Sequence, residues 1–186
     1  MSSTLYRDAI TLALIAFLFM VVLMFPYLNP PADTEQTIAP GNIAAIISWP
    51  EGNADVDLWV HGPGEPWAVG YSNKGGVLWD LLRDDLGTQP DYLPFNFENA
   101  YTRGVPPGDY RINVHCYRCK TLPVEVTLEV SKNNLGGSRE VIATSTIVLR
   151  KDHEEKTGLA FHVDVDGNVE RDSLTTLFAP LRSGRK

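Results

Sequence analysis

The chain has 186 residues, a formal charge of −7, and a composition that is 44% hydrophobic and 21% charged. That length suits one ordinary domain with accessories, and the hydrophobic share suffices to pack a core. An acidic balance excludes a nucleic-acid reader, which needs clustered Lys and Arg.

From Ala9 to Leu28 there is no charge, and Thr11 is the polar exception. A helix needs roughly 20 such residues to cross a bilayer. Pro26, Asn29, Pro30 and Pro31 close the run. A cleaved signal peptide has a basic start, a shorter apolar stretch and a small-residue cleavage site. Here one Arg and one Asp precede the run and bulky residues come after it, which predicts an uncleaved anchor over 9–28 behind a short tail at 1–8. Arg7 is the only positive residue before the helix, and the positive-inside tendency then places the N-terminus in the cytoplasm. The remainder is expected outside the cytoplasm.

Residues 29–41 (NPPADTEQTIAPG) are Pro-rich and polar, a semi-rigid linker. Beyond them the texture changes to short β-type runs: NIAAIISW, DVDLWVHG, WAVGYSN, GVLWDLL, GDYRINVHCY, LPVEVTLEVS, EVIATSTIVLR and LAFHVDVD. Turn signals divide them at PGEP, KGG, PPGD, NNLGG and DGN. VEVTLEV and AFHVDV alternate with the period of a half-buried strand. PPGDYRINVHCY reads as a turn feeding a core strand with inward Tyr, Ile and Val. Strands without strong helices between them predict an all-β antiparallel sandwich, Ig-like or jelly-roll-like, over 42–180. Residues 83–104 read as an ordered loop containing a short strand. The basic LRSGRK at 181–186 forms a tail.

Asp55 and Asp57 fall on one face of a strand. They can join Asp84 or Asp85 around Ca²⁺, which takes roughly six to eight oxygens; the competing expectation is a solvated strand face with acidic turns. Asp164, Asp166 and Asn168 flank Gly167, but the glycine stands at the fourth position instead of the sixth required by an EF-hand loop. A tight hairpin turn explains D-G-N better. Trp59, Trp67, Tyr71, Trp79, Tyr92, Phe95, Phe97 and Tyr101 form a dense aromatic set, expected mainly in the core, with stacking on sugars or a partner as the alternative. Cys116 and Cys119 are the only cysteines. Around a β-turn they come close enough to bridge, and outside the cytoplasm a structural disulfide is expected. No nucleophile elbow, phosphate loop or H-E-x-x-H occurs and the four His are scattered, so no enzyme and no resident cofactor are expected.

Asp8 stands at the lip of the apolar run. As an N-cap its carboxylate would accept N–H groups left free at a helix start and complement the dipole. The surrounding pattern supports another role. DAITLALIAFLFMVV resembles the transmembrane helix of the ExbD, TolR and MotB family in Asp8, Leu12, Leu14, Phe17 and Met20, over about 20 residues. The resemblance implies a homodimer inside a pentamer of a MotA, TolQ or ExbB-like membrane protein. Asp8 would then carry H⁺ or Na⁺, and Thr11, Leu12, Ile15 and Phe19 would face the pore or partner. The sandwich would transmit force to the cell wall or an envelope protein; failing that, the chain is a passive tether for a module that binds a glycan, a peptide or Ca²⁺. DVDLWVHGPGEPWAVGYSNKGGVLWDLLRDD also resembles bacterial β-sandwich modules with a D-x-D-L-x-V strand and a Gly-Gly turn. The matching residues are Asp55, Asp57, Leu58, Val60, Gly75, Gly76, Asp80, Asp84 and Asp85.

Overall fold

A computed structural model describes residues 2–28, 42–87, 95–134 and 136–182. The expected linker at 29–41, Tyr92 and the last residues of the basic tail lie outside the described residues. Two compact units are present, Met1–Thr37 and Ile38–Lys186.

The first unit holds one helix, α1 (Ser2–Leu28). No Pro or Gly interrupts it before Pro26, and Leu, a strong helix former, is its commonest residue. Over Ser3–Met24 it is long and apolar enough to cross a membrane. At about 1.5 Å per residue this stretch spans roughly 33 Å. Residues 2–8, expected as a tail, are helical, so the helix starts well before Asp8.

The second unit is two antiparallel sheets packed face to face. Its strands are β1 (Asn42–Trp49), β2 (Asp55–His61), β3 (Trp79–Arg83), β4 (Asn96–Thr102), β5 (Gly108–Arg118), β6 (Val124–Asn133), β7 (Arg139–Leu149), β8 (Glu155–Val163) and β9 (Val169–Thr175). One sheet has the order β3-β4-β1-β6-β7 and the other β2-β5-β8-β9. Alternation explains the packing. Ile43, Ala45, Ile47 and Trp49 of β1 point inward with Val124, Val126, Leu128 and Val130 of β6. They meet Val56, Leu58 and Val60 of β2 and Ile112, Val114 and Cys116 of β5 from the other sheet.

The strand readings hold with three differences. WAVGYSN is not a strand: Val69 exchanges both backbone hydrogen bonds with Val60, then Gly70 and Asn73 close a tight turn, leaving no extended run. Strand β9 (VERDSLT) was not anticipated. Three consecutive charges hide its alternation, and pairing with β8 imposes the strand. Strand β4, expected as a short strand in a loop, is an interior member between β3 and β1.

Tyr110 enters the core at the start of β5, where the PPGD turn aims it. Its hydroxyl donates to the Pro106 carbonyl at 2.7 Å, and its ring stacks on Phe161 and meets the edge of Trp79. Tyr110→Phe keeps the ring and leaves the Pro106 carbonyl without that donor. It is expected to cost about 1 kcal/mol. A melting midpoint lowered by roughly 2–4 °C in the full chain is the check.

Candidate functional site

In α1, Asp8 is the seventh helical residue, and the first turn contains no acidic residue. Its position therefore rules out the N-cap role: caps serve the orphan N–H groups of the first turn. Thr11, Leu12, Ile15 and Phe19 come after it at offsets of three, four, seven and eleven, so continuous helix places them on the face of Asp8. The Thr11 hydroxyl donates to the Arg7 carbonyl at 2.9 Å, which satisfies it within the helix. The other three expose their side chains.

The sandwich concentrates its titratable groups at the outer edge of β2. Strand β2 is buried on both faces, which corrects the expectation of a solvated face: Asp55 and Asp57 are each 2% exposed. Glu98, on β4 of the opposite sheet, is fully buried and reaches across to this edge. Leu58 N–H donates to its Oε2 at 2.7 Å and Asp85 N–H to its Oε1 at 3.1 Å. An edge strand must hide its free N–H groups, and here a carboxylate from the other sheet does so. The segment after β3 closes over the edge. Gly87, at φ +58°, lies so near Ala54 that a Cβ would collide with the Ala54 carbonyl oxygen.

Of the four acidic residues offered as candidate Ca²⁺ ligands, the structure gathers two. Asp57 and Asp84 each place an oxygen within 4.8 Å of Glu98 and of one another. Asp55 pairs instead with Arg118 at 3.2 Å, and Asp85 with Arg83 at 2.9 Å while also accepting the Gly87 and Phe97 N–H groups. Asp84 pairs with Lys74 at 2.8 Å. Asp57, Asp84 and Glu98 form an all-oxygen set of the type a hard cation takes. Sequence reasoning missed Glu98 because it sits mid-strand in NFENAYT, in a segment read as a loop. Its only signal was the alternation that turns Asn96, Glu98, Ala100 and Thr102 inward.

Burial pushes the Glu98 carboxyl up to about 10, against the pull of the Leu58 and Asp85 N–H groups and with the Asp57 charge adding to it. Burial and then the Asp57 charge lift Asp55 to about 6, with Arg118 opposing. Asp57 is raised too, by burial, with the His115 hydrogen bond opposing. A carboxyl raised in the folded state keeps a proton that the unfolded chain has released. Its contribution is complete below the unfolded value near 4 and is lost as pH climbs through the folded value. Urea midpoints of the full chain should therefore fall as pH rises from about 4 toward 10, Asp55 contributing up to about pH 6 and Glu98 above it, by at least about 1 kcal/mol in all. In Glu98→Gln the slope above pH 6 should flatten. Glu154 and Asp164, both lowered, act only at acid pH below this window.

On the outer face of the β2–β5 pair, Asp57 and His115 are cross-strand neighbours, and Asp57 Oδ2 lies 2.8 Å from His115 Nδ1. His115 Nε2 lies 2.5 Å from Arg182 Nη1. A guanidinium only donates, so Nε2 accepts and Nδ1 carries the proton to Asp57. Both ring nitrogens are thus occupied, which leaves no free base. Arg182 arrives on the segment after β9, which crosses the sheet as a strap. Asn113 Nδ2 donates to the Ala179 carbonyl, Ala179 N–H to Thr157 and Leu181 N–H to Glu155. Leu181 and Arg182, read as the start of a basic tail, are part of the sandwich. Beside the strap, Trp59, Trp67, Tyr71, Asn73 and Arg182 wall a cavity of about 150 Å³.

The remaining candidates resolve as structural features. Cys116 and Cys119 form a disulfide with a Cα–Cα distance of 5.9 Å. Asp164 Oδ1 accepts the Asp166 and Asn168 N–H groups, and Gly167 takes φ +80°, so D-G-N closes the β8–β9 hairpin. The aromatic set divides: Trp79 fills the core, Trp67 and Phe95 are about half exposed, and Trp59 is buried on the outer face. Compared with known proteins, the chain matches no family model, no curated protein and no solved structure.

Proposed function

We propose that this chain is a single-pass subunit of an ion-driven complex in a bacterial inner membrane, with Asp8 carrying H⁺ or Na⁺. Its sandwich is then an Ig-like periplasmic output module. The observation that supports this reading is the place of Asp8: inside an apolar helix, past the first turn, where it caps nothing and shares a face with Thr11, Leu12, Ile15 and Phe19. An ionisable group in such a helix is costly and therefore functional as a rule. A helix apolar on all sides needs lipid or protein around it. The partner supplied by the resemblance is a pentamer of a MotA, TolQ or ExbB-like protein enclosing two copies of this chain. Neutral Asp8 passes an apolar wall, whereas the ionised form must meet a polar group of the pentamer. One charge moved across 100 mV yields about 2.3 kcal/mol, enough to bias a rotational step and no more. The sandwich passes that motion to the cell wall or an envelope protein.

Copurification from native membranes, followed by subunit counting, tests the assembly. Two copies of this chain with five of a polytopic protein are expected. A lone monomer in mild detergent would overturn the proposal. It would favour a passive tether, a reading the walled cavity beside Trp59 supports, with a glycan, a peptide or Ca²⁺ as ligand.

A further inference from the structure

Trp59 occupies an unusual position. It lies on the outer face of β2, yet is only 6% exposed. Gly70 lies flat against its indole, and a Cβ there would stand 2.6 Å from the ring. Tyr71 meets it edge-on at 5.5 Å between ring centres. The ring is thus held as a rigid plane. Its Nε1–H is buried and has no acceptor among the described residues.

That indole walls the cavity of about 150 Å³, a volume that elsewhere admits a benzene ring. The opposite walls are Trp67, 51% exposed, and the Tyr71 ring, and polar groups come from Ser72, Asn73 and Arg182. The lining contains no carboxylate, although the chain carries a net charge of −7. Arg182 is held in place through Nη1 by His115, whose ring is fixed in turn by Asp57, and its other N–H groups have no acceptor among the described residues.

We propose that this cavity binds a single pyranose residue bearing a carboxylate. The apolar C–H face of the sugar lies against the aromatic planes. The carboxylate meets the Arg182 guanidinium, the group best shaped for it. Aromatic walls with a few convergent polar groups are the usual make-up of a small-molecule site. The site is independent of ion carriage, so Asp8→Asn must bind the sugar as the unaltered chain does.

The test is a titration of the full chain, in a detergent without a sugar headgroup, with glucuronate, glucose and acetate, read by calorimetry and by tryptophan fluorescence. Saturable binding of glucuronate is expected, at least about 10-fold tighter than glucose or acetate. Trp67→Ala, at a half-exposed wall that cannot disturb the core, should weaken both sugars. Arg182→Gln should erase the preference for glucuronate over glucose. No saturable signal up to about 50 mM glucuronate would overturn the proposal. So would acetate binding as tightly as glucuronate, or unchanged affinity in both Trp67→Ala and Arg182→Gln.

Discussion

With Asp8 replaced by asparagine, ion flow through the assembled complex is expected to fall to background while the protein still inserts at its normal level. Asparagine matches aspartate in size and is close to it in helix propensity, so α1 should form as before. A neutral amide is cheaper in an apolar setting than an ionised carboxylate, so insertion has no reason to fail. The titratable proton is lost. Asp8→Glu restores it one methylene away, and a displacement of about 1 Å from the working geometry can cost on the order of 100-fold. Residual flow in the glutamate variant and none in the asparagine variant would separate ion carriage from mere polarity. Proton or sodium flux in membrane vesicles measures the first quantity, and resistance to alkaline extraction measures insertion. Normal flux in Asp8→Asn would leave the helix as an anchor alone.

Glu65→Ala is expected to remove about 3–5 kcal/mol from the stability of the sandwich, a large share of what a domain of this size possesses. Glu65 is 7% exposed and works as a hub for backbone donors. Its Oε1 accepts the Leu78 and Trp79 N–H groups at 2.7 and 2.8 Å, and its Oε2 accepts Val77 N–H at 3.1 Å. These bonds tie the turn at 62–65 to the entry of β3, where Trp79 passes fully buried into the core. Alanine leaves three donors without acceptors and loosens the strand that seats the largest core side chain. Bonds to a charged acceptor contribute about 1.5–3 kcal/mol each, and the total falls short of their sum because water enters the space vacated. Glu65→Gln keeps one acceptor oxygen and turns an NH₂ toward Val77, so its cost should be about 1–2 kcal/mol. Urea unfolding of the full chain in detergent, followed by tryptophan fluorescence, gives both values. Equal stability of Glu65→Ala and the unaltered protein would show that water replaces the carboxylate at no cost.

Much of the architecture was legible because it rests on local patterns. Uniform apolarity over 9–28 announces a helix that needs no partner to be recognised. Alternation in VEVTLEV and the PPGDY turn announce β6 and β5, since a strand with one buried face must alternate. Strand β9 escaped because its pairing with β8, and no pattern of its own, makes it a strand. WAVGYSN misled because its β-prone residues serve a bridge and a turn. The acidic residues divided in the same way: the D-x-D spacing located Asp55 and Asp57, but their burial depends on the segment that covers β2.

Sequence alone determined the apolar helix with its single carboxylate, the all-β character of the domain behind it, and the closeness of Cys116 to Cys119. Each depends on residues within a few positions of one another. Only tertiary structure decided that Glu98 caps β2 from 40 residues away, that Arg182 reaches His115 across 67, and that Trp59 and Arg182 wall one cavity. Those contacts join residues distant in the chain, and the folding of both sheets around one core is what brings them together.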